Sequence, residues 1–237
     1  MVAATPLKRF FKEARAAARE GGYGVQLDGR DIRTPGKAAL VLPSAGLAEA
    51  VAGEWAAQGA RIEPATMPLM SLACTAIDQV APNRGAVIGE LVGYGESDLL
   101  CYRAEHPEAL VARQAEIWQP LLDWAARNLD APLRVTCGIR YQPQPEDALA
   151  ALRRNVEALD DFPLTALDCA TRASGSLVIA LALHRGRLDA EAAFEAAELD
   201  ATFQIELWGE DPEATRRRAA ILADLAAARR LMELLSD

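Results

Sequence analysis

The chain has 237 residues, of which 51% are apolar and 25% are charged, and its formal net charge is −9. This length is enough for one large domain or two smaller ones with a real hydrophobic core. The acidic balance argues against a nucleic-acid-binding protein, because such proteins usually carry a surplus of basic side chains.

The N-terminal region shows no clear targeting signal. Residues 1–22 are rich in Ala and Arg, as transit peptides are, but Glu13 and Glu20 argue against that interpretation. The apolar core of a secretory signal is missing. No apolar stretch approaches the roughly 20 residues that a helix needs to cross a bilayer, so we expect no membrane insertion. The sequence therefore predicts a cytoplasmic protein.

The cysteines and histidines predict neither a disulfide framework nor a metal site. The cysteines are widely spaced and form no CxxC pair, which indicates buried thiols in a reducing compartment. Neither histidine lies beside a cysteine, so we expect no zinc. The cysteines are Cys74, Cys101, Cys137 and Cys169, and the histidines are His106 and His184.

The beginning of the chain is predicted to be rich in strands. A helix is expected over residues 5–20, and Gly21 and Gly22 would end it. Apolar and polar residues then alternate around an Asp-Gly and a Pro-Gly turn signal, which is typical of hairpins. The predicted strands cover residues 23–28, 30–34 and 38–42.

One long helix follows these strands. Ser44 is its candidate N-cap, and Leu47, Val51 and Trp55 recur at helical spacing before Gly59 ends it. This helix would complete a small N-terminal unit.

From Ser71 onward the apolar residues recur mostly at helical spacing. Pro82 and Asn83 are expected to break the first helical run. A short extended piece is expected at 99–102. The remaining predicted helices cover residues 106–129, 146–159, 163–173, 175–185, 189–208 and 212–235.

The two regions together predict an α+β fold. Residues 1–70 are expected to form a β-rich domain with one long helix, and residues 71–237 a larger domain that is mostly α-helical.

No arrangement typical of a catalytic nucleophile stands out. A GxSxG elbow is absent, and the SGS run is interpreted as a helix start capped by Ser174 or Ser176. His106 precedes a helix and His184 ends one, where positive charge would complement the helix dipole, so both are interpreted as structural. The sequence has neither a P-loop nor a dinucleotide fingerprint, and we expect no cofactor.

Acidic residues are frequent late in the chain. The spacing of Glu191, Glu195 and Glu198 puts three carboxylates on one helical face. That face is solvated, or binds a partner, or contributes to acid/base chemistry in a pocket that shifts its pKa values. We favour the solvated face.

Residues 189–218 are interpreted as the end of one helix and the start of the next. Gly209 would end the first helix, and Asp211 followed by Pro212 would begin the second. Three arginines near the start of the second helix oppose its dipole, and we expect them to pair with neighbouring acids. The residues expected to face the core are Phe194, Ala197, Ala201, Ile205 and Trp208, and the arginines are Arg216, Arg217 and Arg218.

The segment LDATFQIELWGEDPEA, residues 199–214, resembles the C-terminal motif of a chaperone family. This is the family that assembles the catalytic head of F-type ATP synthases and binds the alpha subunit. Residues 25–44, 54–78 and 96–124 agree with the same family in order and spacing. The resemblance covers nearly the whole chain, and the chain looks like a bacterial member.

The resemblance implies a chaperone and not an enzyme. It implies a small β-rich domain and a helical domain, and a binder of this kind needs neither a nucleotide nor a catalytic residue. A member of this family holds the unassembled alpha subunit and masks its future interface until the beta subunit replaces it, and we expect it to act as a monomer. The alternatives are a small-molecule enzyme that uses the carboxylate-rich helix and a generic helical scaffold for another protein.

The resemblance also implies candidate site residues. The family carries an acid just before the FQ pair, and Asp200 occupies that place here. We hypothesise that Asp200 and nearby acids contact the client, while Trp208 is structural. The resemblance does not account for the three arginines. The candidate partner-binding residues are Asp200, Gln204, Glu198, Glu210 and Asp211, and the structural motif consists of Phe203, Trp208 and Gly209.

Overall fold

The computed structural model describes residues 7–235 and divides the chain into two compact units. The first unit contains the chain up to Asn83, the segment Asp161–Thr165 and the C-terminal segment from Arg230. The second contains Arg84–Asp160 and Ala166–Arg229. The division into domains at residue 70 stays a prediction.

The first unit contains a three-stranded antiparallel sheet in the order β1-β2-β3. Strand β1 is Ala14–Arg19, β2 is Gly22–Leu27 and β3 is Arg30–Asp31. β1 pairs with β2 along its whole length, from Ala14 opposite Leu27 to Arg19 opposite Gly22. Val25 and Leu27 of β2 are buried, so one face of this sheet contributes to the core of the unit.

The predicted helix over residues 5–20 is wrong, because residues 14–19 form β1. Its residues 5 and 6 lie outside the described part of the chain. The two glycines do not end a helix: Gly21 lies in the turn between β1 and β2, with a φ of 81°, and Gly22 is the first residue of β2. At Gly22 a Cβ atom would lie 2.4 Å from the carbonyl oxygen of Leu42, so a side chain is excluded there.

The other predicted strands are only partly present. The prediction for residues 23–28 is confirmed as β2. The predicted strand over 30–34 stops at Asp31, and the segment 38–42 forms single antiparallel bridges, Arg33 with Ala39 and Tyr23 with Leu42.

Helix α1, Ala45–Ala56, begins where its capping signal predicts. The Ser44 hydroxyl accepts a hydrogen bond from the Leu47 backbone N–H at 3.1 Å. Leu47 and Val51 are fully buried and Trp55 is half-buried, which confirms the predicted apolar face.

A long helical run follows, made of α2, Pro68–Thr75, a single π-helical segment, Ala76–Val80, and α3, Ala81–Glu96. The predicted break at Pro82 and Asn83 is a kink rather than an end, since only Asn83 leaves helical geometry, with a φ of −120°. A 3₁₀ turn at Leu99–Cys101 replaces most of the extended piece predicted at residues 99–102.

The rest of the chain is mostly helical. Two short parallel strands, β4, Tyr102–Arg103, and β5, Thr136–Cys137, pair with each other. Every residue from Leu177 to Leu183 is fully buried, so that helix forms the centre of the second unit. The helices are α4, Glu108–Asn128; α5, Glu146–Glu157; α6, Asp161–Ser174; α7, Leu177–His184; α8, Ala190–Ala197; α9, Leu199–Trp208; and α10, Pro212–Leu234.

The α+β class is confirmed, and two further details differ from the sequence-based expectations. The helix predicted over residues 189–208 is two helices, because Glu198 leaves helical geometry between α8 and α9, with φ −103° and ψ 19°. All four cysteines are free thiols, but only Cys101 is fully buried; Cys74 and Cys169 are half-buried, and Cys137 is exposed. No helix within residues 7–235 is long and apolar enough to cross a bilayer.

Candidate functional site

Helix α9 carries most of the candidate site and is attached to α4 along one side. Leu199, at its first turn, is 2% exposed. Arg113 of α4 donates two hydrogen bonds of 2.9 Å to the two carboxylate oxygens of Glu206. The guanidinium carbon of Arg113 also lies 5.5 Å from the ring centroid of Phe203. These contacts link α9 to α4, and Phe203 is half-buried.

An adjoining face of α9 becomes exposed to solvent toward the C-terminal end of the helix. Asp200, Gln204 and Leu207 follow one another at intervals of four and three residues, which places them on one helical face. Leu207 is 58% exposed, and Trp208 beside it is 78% exposed. We call these four residues, Asp200, Gln204, Leu207 and Trp208, the α9 surface.

The prediction that Trp208 faces the core is therefore wrong. The predicted stripe treats residues 194–208 as one helix, but the break at Glu198 shifts the helical phase between α8 and α9. The buried residues are Ala190, Ala193 and Ala196 of α8 and then Leu199, whereas Phe194, Ala197, Ala201 and Ile205 are half-buried. Gly209 ends α9 with a φ of 85°, as its glycine predicts.

Asp200 has one carboxylate oxygen bound and one free. The amide nitrogen Nε2 of Gln114 donates to Asp200 Oδ1 at 2.8 Å. Within residues 7–235, no hydrogen bond reaches Oδ2 of Asp200. The side chain is half-buried at the edge of the α9 surface, so Oδ2 can accept a hydrogen bond from a partner.

Glu198 does not lie on a solvated face, contrary to expectation. Glu191 and Glu195 are exposed, but Glu198 is 7% exposed and is bound by two arginines of α10. Arg217 donates to both of its carboxylate oxygens at 3.1 and 2.8 Å, and Arg218 donates at 3.1 Å. This cluster connects α10 to the junction between α8 and α9.

Two residues of the arginine run, Arg217 and Arg218, thus pair with acids of the same chain, as expected, whereas no such pair is seen for Arg216 within residues 7–235. Arg218 also binds the Thr202 hydroxyl at 3.0 Å and forms an ion pair with Glu210 at 3.5 Å. Asp211 caps α10, since its Oδ1 accepts from the backbone N–H groups of Glu213 and Ala214 at 2.8 and 2.9 Å. Of the five candidate partner-binding residues, Glu198, Glu210 and Asp211 are engaged internally, and Asp200 and Gln204 lie on the α9 surface.

The serine and histidine residues that were weighed as catalytic candidates lie at helix ends. Ser176 caps α7, with its hydroxyl accepting from the Ile179 N–H at 3.0 Å, as predicted for this segment. Burial, with Arg185 and Arg229 nearby, lowers the pKa of His184, which disfavours the positive charge expected at this helix end. His106 is exposed just before α4, as expected. Within residues 7–235, no three His, Cys, Asp or Glu side chains form a metal-binding group.

Gln114 is the residue near the site that was not predicted to belong to it. In the sequence Gln114 stands at helical spacing between the apolar residues Leu110 and Ile117 of α4, yet it is a polar side chain that is 1% exposed. A polar residue within an apolar stripe signals a buried hydrogen-bond partner, because unpaired polar groups are costly inside a protein. The sequence does not say which residue that partner is.

Comparison with known proteins places the chain in a family. The family model described as ATP12 chaperone protein matches residues 8–126. The chain is similar to the solved Atp12 of Paracoccus denitrificans, with 46% identity over 97% of this chain and 98% of that one and a TM-score of 0.92. A solved protein of Agrobacterium tumefaciens is 43% identical over 96% of this chain and 86% of that one, with a TM-score of 0.93.

A curated relative extends the similarity beyond bacteria. The mitochondrial protein atp12 of Schizosaccharomyces pombe is 24% identical over 214 residues, which are 85% of this chain and 74% of that protein. The bacterial sources of both solved relatives fit a bacterial member, and the family match over residues 8–126 confirms the family that the resemblance indicates. The chain belongs to the ATP12 chaperone family.

Proposed function

We propose that this chain is an assembly chaperone that binds the unassembled alpha subunit of the F-type ATP synthase and masks its future interface until the beta subunit replaces it. The observation that carries this proposal is the α9 surface, where two exposed apolar side chains, Leu207 and Trp208, share a short helix with a carboxylate that has a free oxygen. Exposed large apolar side chains that lie together are typical of sites that bind other proteins.

The α9 surface fits a protein client with both apolar and basic groups. Leu207 and Trp208 offer apolar area, and Trp is among the residues that contribute most to protein interfaces. Oδ2 of Asp200 can accept a charge-assisted hydrogen bond from an Arg or Lys of the client. The exposed amide of Gln204 lies between these two features and can bind a backbone group of the client.

We infer that the role of this helical region is binding and not catalysis. The acids that could form a catalytic pair are held in structural contacts, Glu198 by two arginines, Glu210 by Arg218 and Asp211 as a helix cap. A general acid or base needs a shaped site in which its pKa is tuned. An exposed helix surface that combines an acid with apolar residues is better suited to recognising a protein.

We further propose that the protein acts as a monomer in the cytoplasm. Light scattering on the purified chain, alone and after addition of the alpha subunit, would measure the mass of each species. A stable dimer of the free chain would contradict the monomer.

The test is capture of isolated alpha subunit by the immobilised chain, with and without beta subunit. We expect the unaltered chain to bind free alpha subunit and the beta subunit to displace it. Asp200→Lys should weaken capture at least about tenfold, as expected for a charge placed against its partner in a partly buried contact. Glu191→Lys is the matched control, since Glu191 is an exposed acid on the neighbouring helix, and it should bind normally.

Two results would contradict the proposal. Capture of another protein in place of the alpha subunit would indicate a scaffold with a different client. If the unaltered chain turns over a small molecule and Asp200→Asn does not, the protein is an enzyme that uses this carboxylate.

A further inference from the structure

We propose that Gln114 is a positioning residue that holds the Asp200 carboxylate in the orientation needed for client binding. This inference rests on the proposed function, in which Asp200 contacts the client. It concerns a residue of α4 that is buried and therefore does not touch the client itself.

The orientation of the Gln114 amide is fixed by its two hydrogen bonds. Its oxygen Oε1 accepts from the backbone N–H of Ala104 at 2.8 Å. Because this N–H can only donate, a flipped amide would place two donors against each other. Nε2 must therefore point away from Ala104, and it donates to Oδ1 of Asp200 at 2.8 Å.

The backbone of Gln114 is held in place as well. Its carbonyl oxygen accepts a hydrogen bond of 2.8 Å from Nη1 of Arg103, whose Nε donates to the carbonyl of Leu100 at 2.8 Å. The Arg103 guanidinium lies 5.3 Å from the ring centroid of Trp118, which is fully buried on the next turn of α4. The donor that faces Asp200 is thus part of a packed, hydrogen-bonded group.

This support leaves Asp200 with one oxygen held and the other available. An aspartate on an unsupported helix surface samples several rotamers, and binding would have to select one of them. Ordering a side chain on association reduces affinity. With Oδ1 bound to Gln114, this cost is avoided, because Oδ2 already points to a defined position before the client arrives.

The experiment is a double-mutant cycle in which the dissociation constant for isolated alpha subunit is measured. The four chains are the unaltered protein, Gln114→Leu, Asp200→Ala and the double variant. We expect Gln114→Leu to weaken binding about three- to tenfold, the range for ordering one side chain on association. In the Asp200→Ala background the same change should alter the dissociation constant by less than about twofold, because no carboxylate remains to be positioned.

A matched control lies on the same helix. Gln119 donates to the Asp123 carboxylate at 2.8 Å, as Gln114 does to Asp200, but it is exposed. Gln119→Leu should leave the dissociation constant unchanged. Thermal unfolding of each chain shows whether it is folded, and Gln114→Glu is the second variant if Gln114→Leu does not fold. It keeps an acceptor for the Ala104 N–H but sets a carboxylate against Asp200, and it should weaken binding at least as much.

The outcomes separate this inference from the proposed function. An equal loss of affinity from Gln114→Leu in both backgrounds would mean that Gln114 only supports the fold, which overturns the inference. Full affinity in the folded Gln114 variants would overturn it too, while binding by the unaltered chain keeps the proposed function intact. If the unaltered chain does not bind alpha subunit, the proposed function fails, and this inference fails with it.

Discussion

Asp98 is a fully buried carboxylate that organises the start of α7. Its Oδ1 accepts from the Ser176 hydroxyl at 2.7 Å and from the Leu100 N–H at 3.1 Å, and its Oδ2 accepts from the Val178 N–H at 3.1 Å. Burial raises the pKa of Asp98 to about 6, against the opposing effect of these hydrogen bonds. Because the pKa of Asp98 differs between the folded and the unfolded chain, this side chain makes the stability of the fold depend on pH.

The first prediction concerns that dependence. The folded state holds the Asp98 proton up to about pH 6, while the unfolded chain releases it near the usual value of 3.8. The contribution of Asp98 is thus full below about pH 4 and is lost as pH rises through about 6. We compare the free energy of unfolding of the unaltered chain with that of Asp98→Asn. The first value minus the second should fall between about pH 4 and pH 6, by on the order of 2–3 kcal/mol. Denaturant unfolding at several pH values measures it, and a constant difference would contradict it.

A second prediction concerns the buried acid between α8 and α9. Glu198→Gln removes the charge that Arg217 and Arg218 share and leaves them partly unpaired. We expect a loss of about 1–3 kcal/mol in the free energy of unfolding, the usual cost of an incomplete buried hydrogen-bond group. Glu191→Gln, at an exposed position of α8, should change it by less than about 0.5 kcal/mol. Equal effects in urea unfolding would show that the cluster does not stabilise the junction.

At the scale of elements, the break between α8 and α9 determines which side chains of the candidate site face solvent. The sequence shows one periodic pattern over residues 189–208, with good caps at both ends, and local rules predict one helix from it. The break is stabilised by Glu198 reaching Arg217 and Arg218 of α10, which are 19 and 20 residues away along the chain. Such a contact lies outside any local window, so the outward orientation of Trp208 could not be read from spacing.

The third prediction follows from that orientation. Trp208→Ala should change the free energy of unfolding by less than about 0.5 kcal/mol, because the side chain is 78% exposed. The same variant should weaken alpha-subunit capture by about 2 kcal/mol or more if Trp208 anchors the client. Trp118→Ala is the contrast, since Trp118 is fully buried and its loss should cost about 3–5 kcal/mol of stability. A destabilised Trp208→Ala with normal capture would restore the structural role first expected for Trp208.

Strand β1 shows a second way in which local rules fail. Its sequence ARAAAR has high helix propensity, and isolated propensity predicts a helix there. The structure instead pairs the segment with β2 through the turn at Gly21, and tertiary pairing outweighs propensity differences of a few tenths of a kcal/mol per residue. Helices with strong caps, such as α1 behind Ser44 and α10 behind Asp211, were predictable because the signal is contained in neighbouring residues.

At the scale of the whole molecule, the sequence was sufficient for the α+β class, the order of most elements and the family. It also pointed to Asp200, through a resemblance. It could not show that Gln114 binds Asp200, since the two residues are 86 positions apart, or that Glu198 is unavailable to a partner. Both facts depend on how helices that are distant in the sequence pack together. The sequence of one helix does not show which residues of another helix it contacts.

The fourth prediction concerns the four thiols of the molecule together. Burial raises the pKa of Cys74 to about 11 and the pKa values of Cys101 and Cys169 to about 12, so thiolate is scarce at these positions near neutral pH. Cys137 is the exposed thiol. A maleimide at pH 7 should therefore modify one site, and mass spectrometry of the digested protein should find it at Cys137. Rapid labelling that survives Cys137→Ser would contradict this prediction.

The exposed strand β5 thereby gives the protein a place for a spectroscopic reporter. Cys137 is the pairing partner of Arg103, and Arg103 holds the carbonyl of Gln114 behind Asp200. A fluorophore or spin label on this thiol would sit next to the supporting group of the site without replacing any of its residues. Stopped-flow measurements on such a labelled chain could follow the arrival of the alpha subunit and its transfer to the beta subunit in real time.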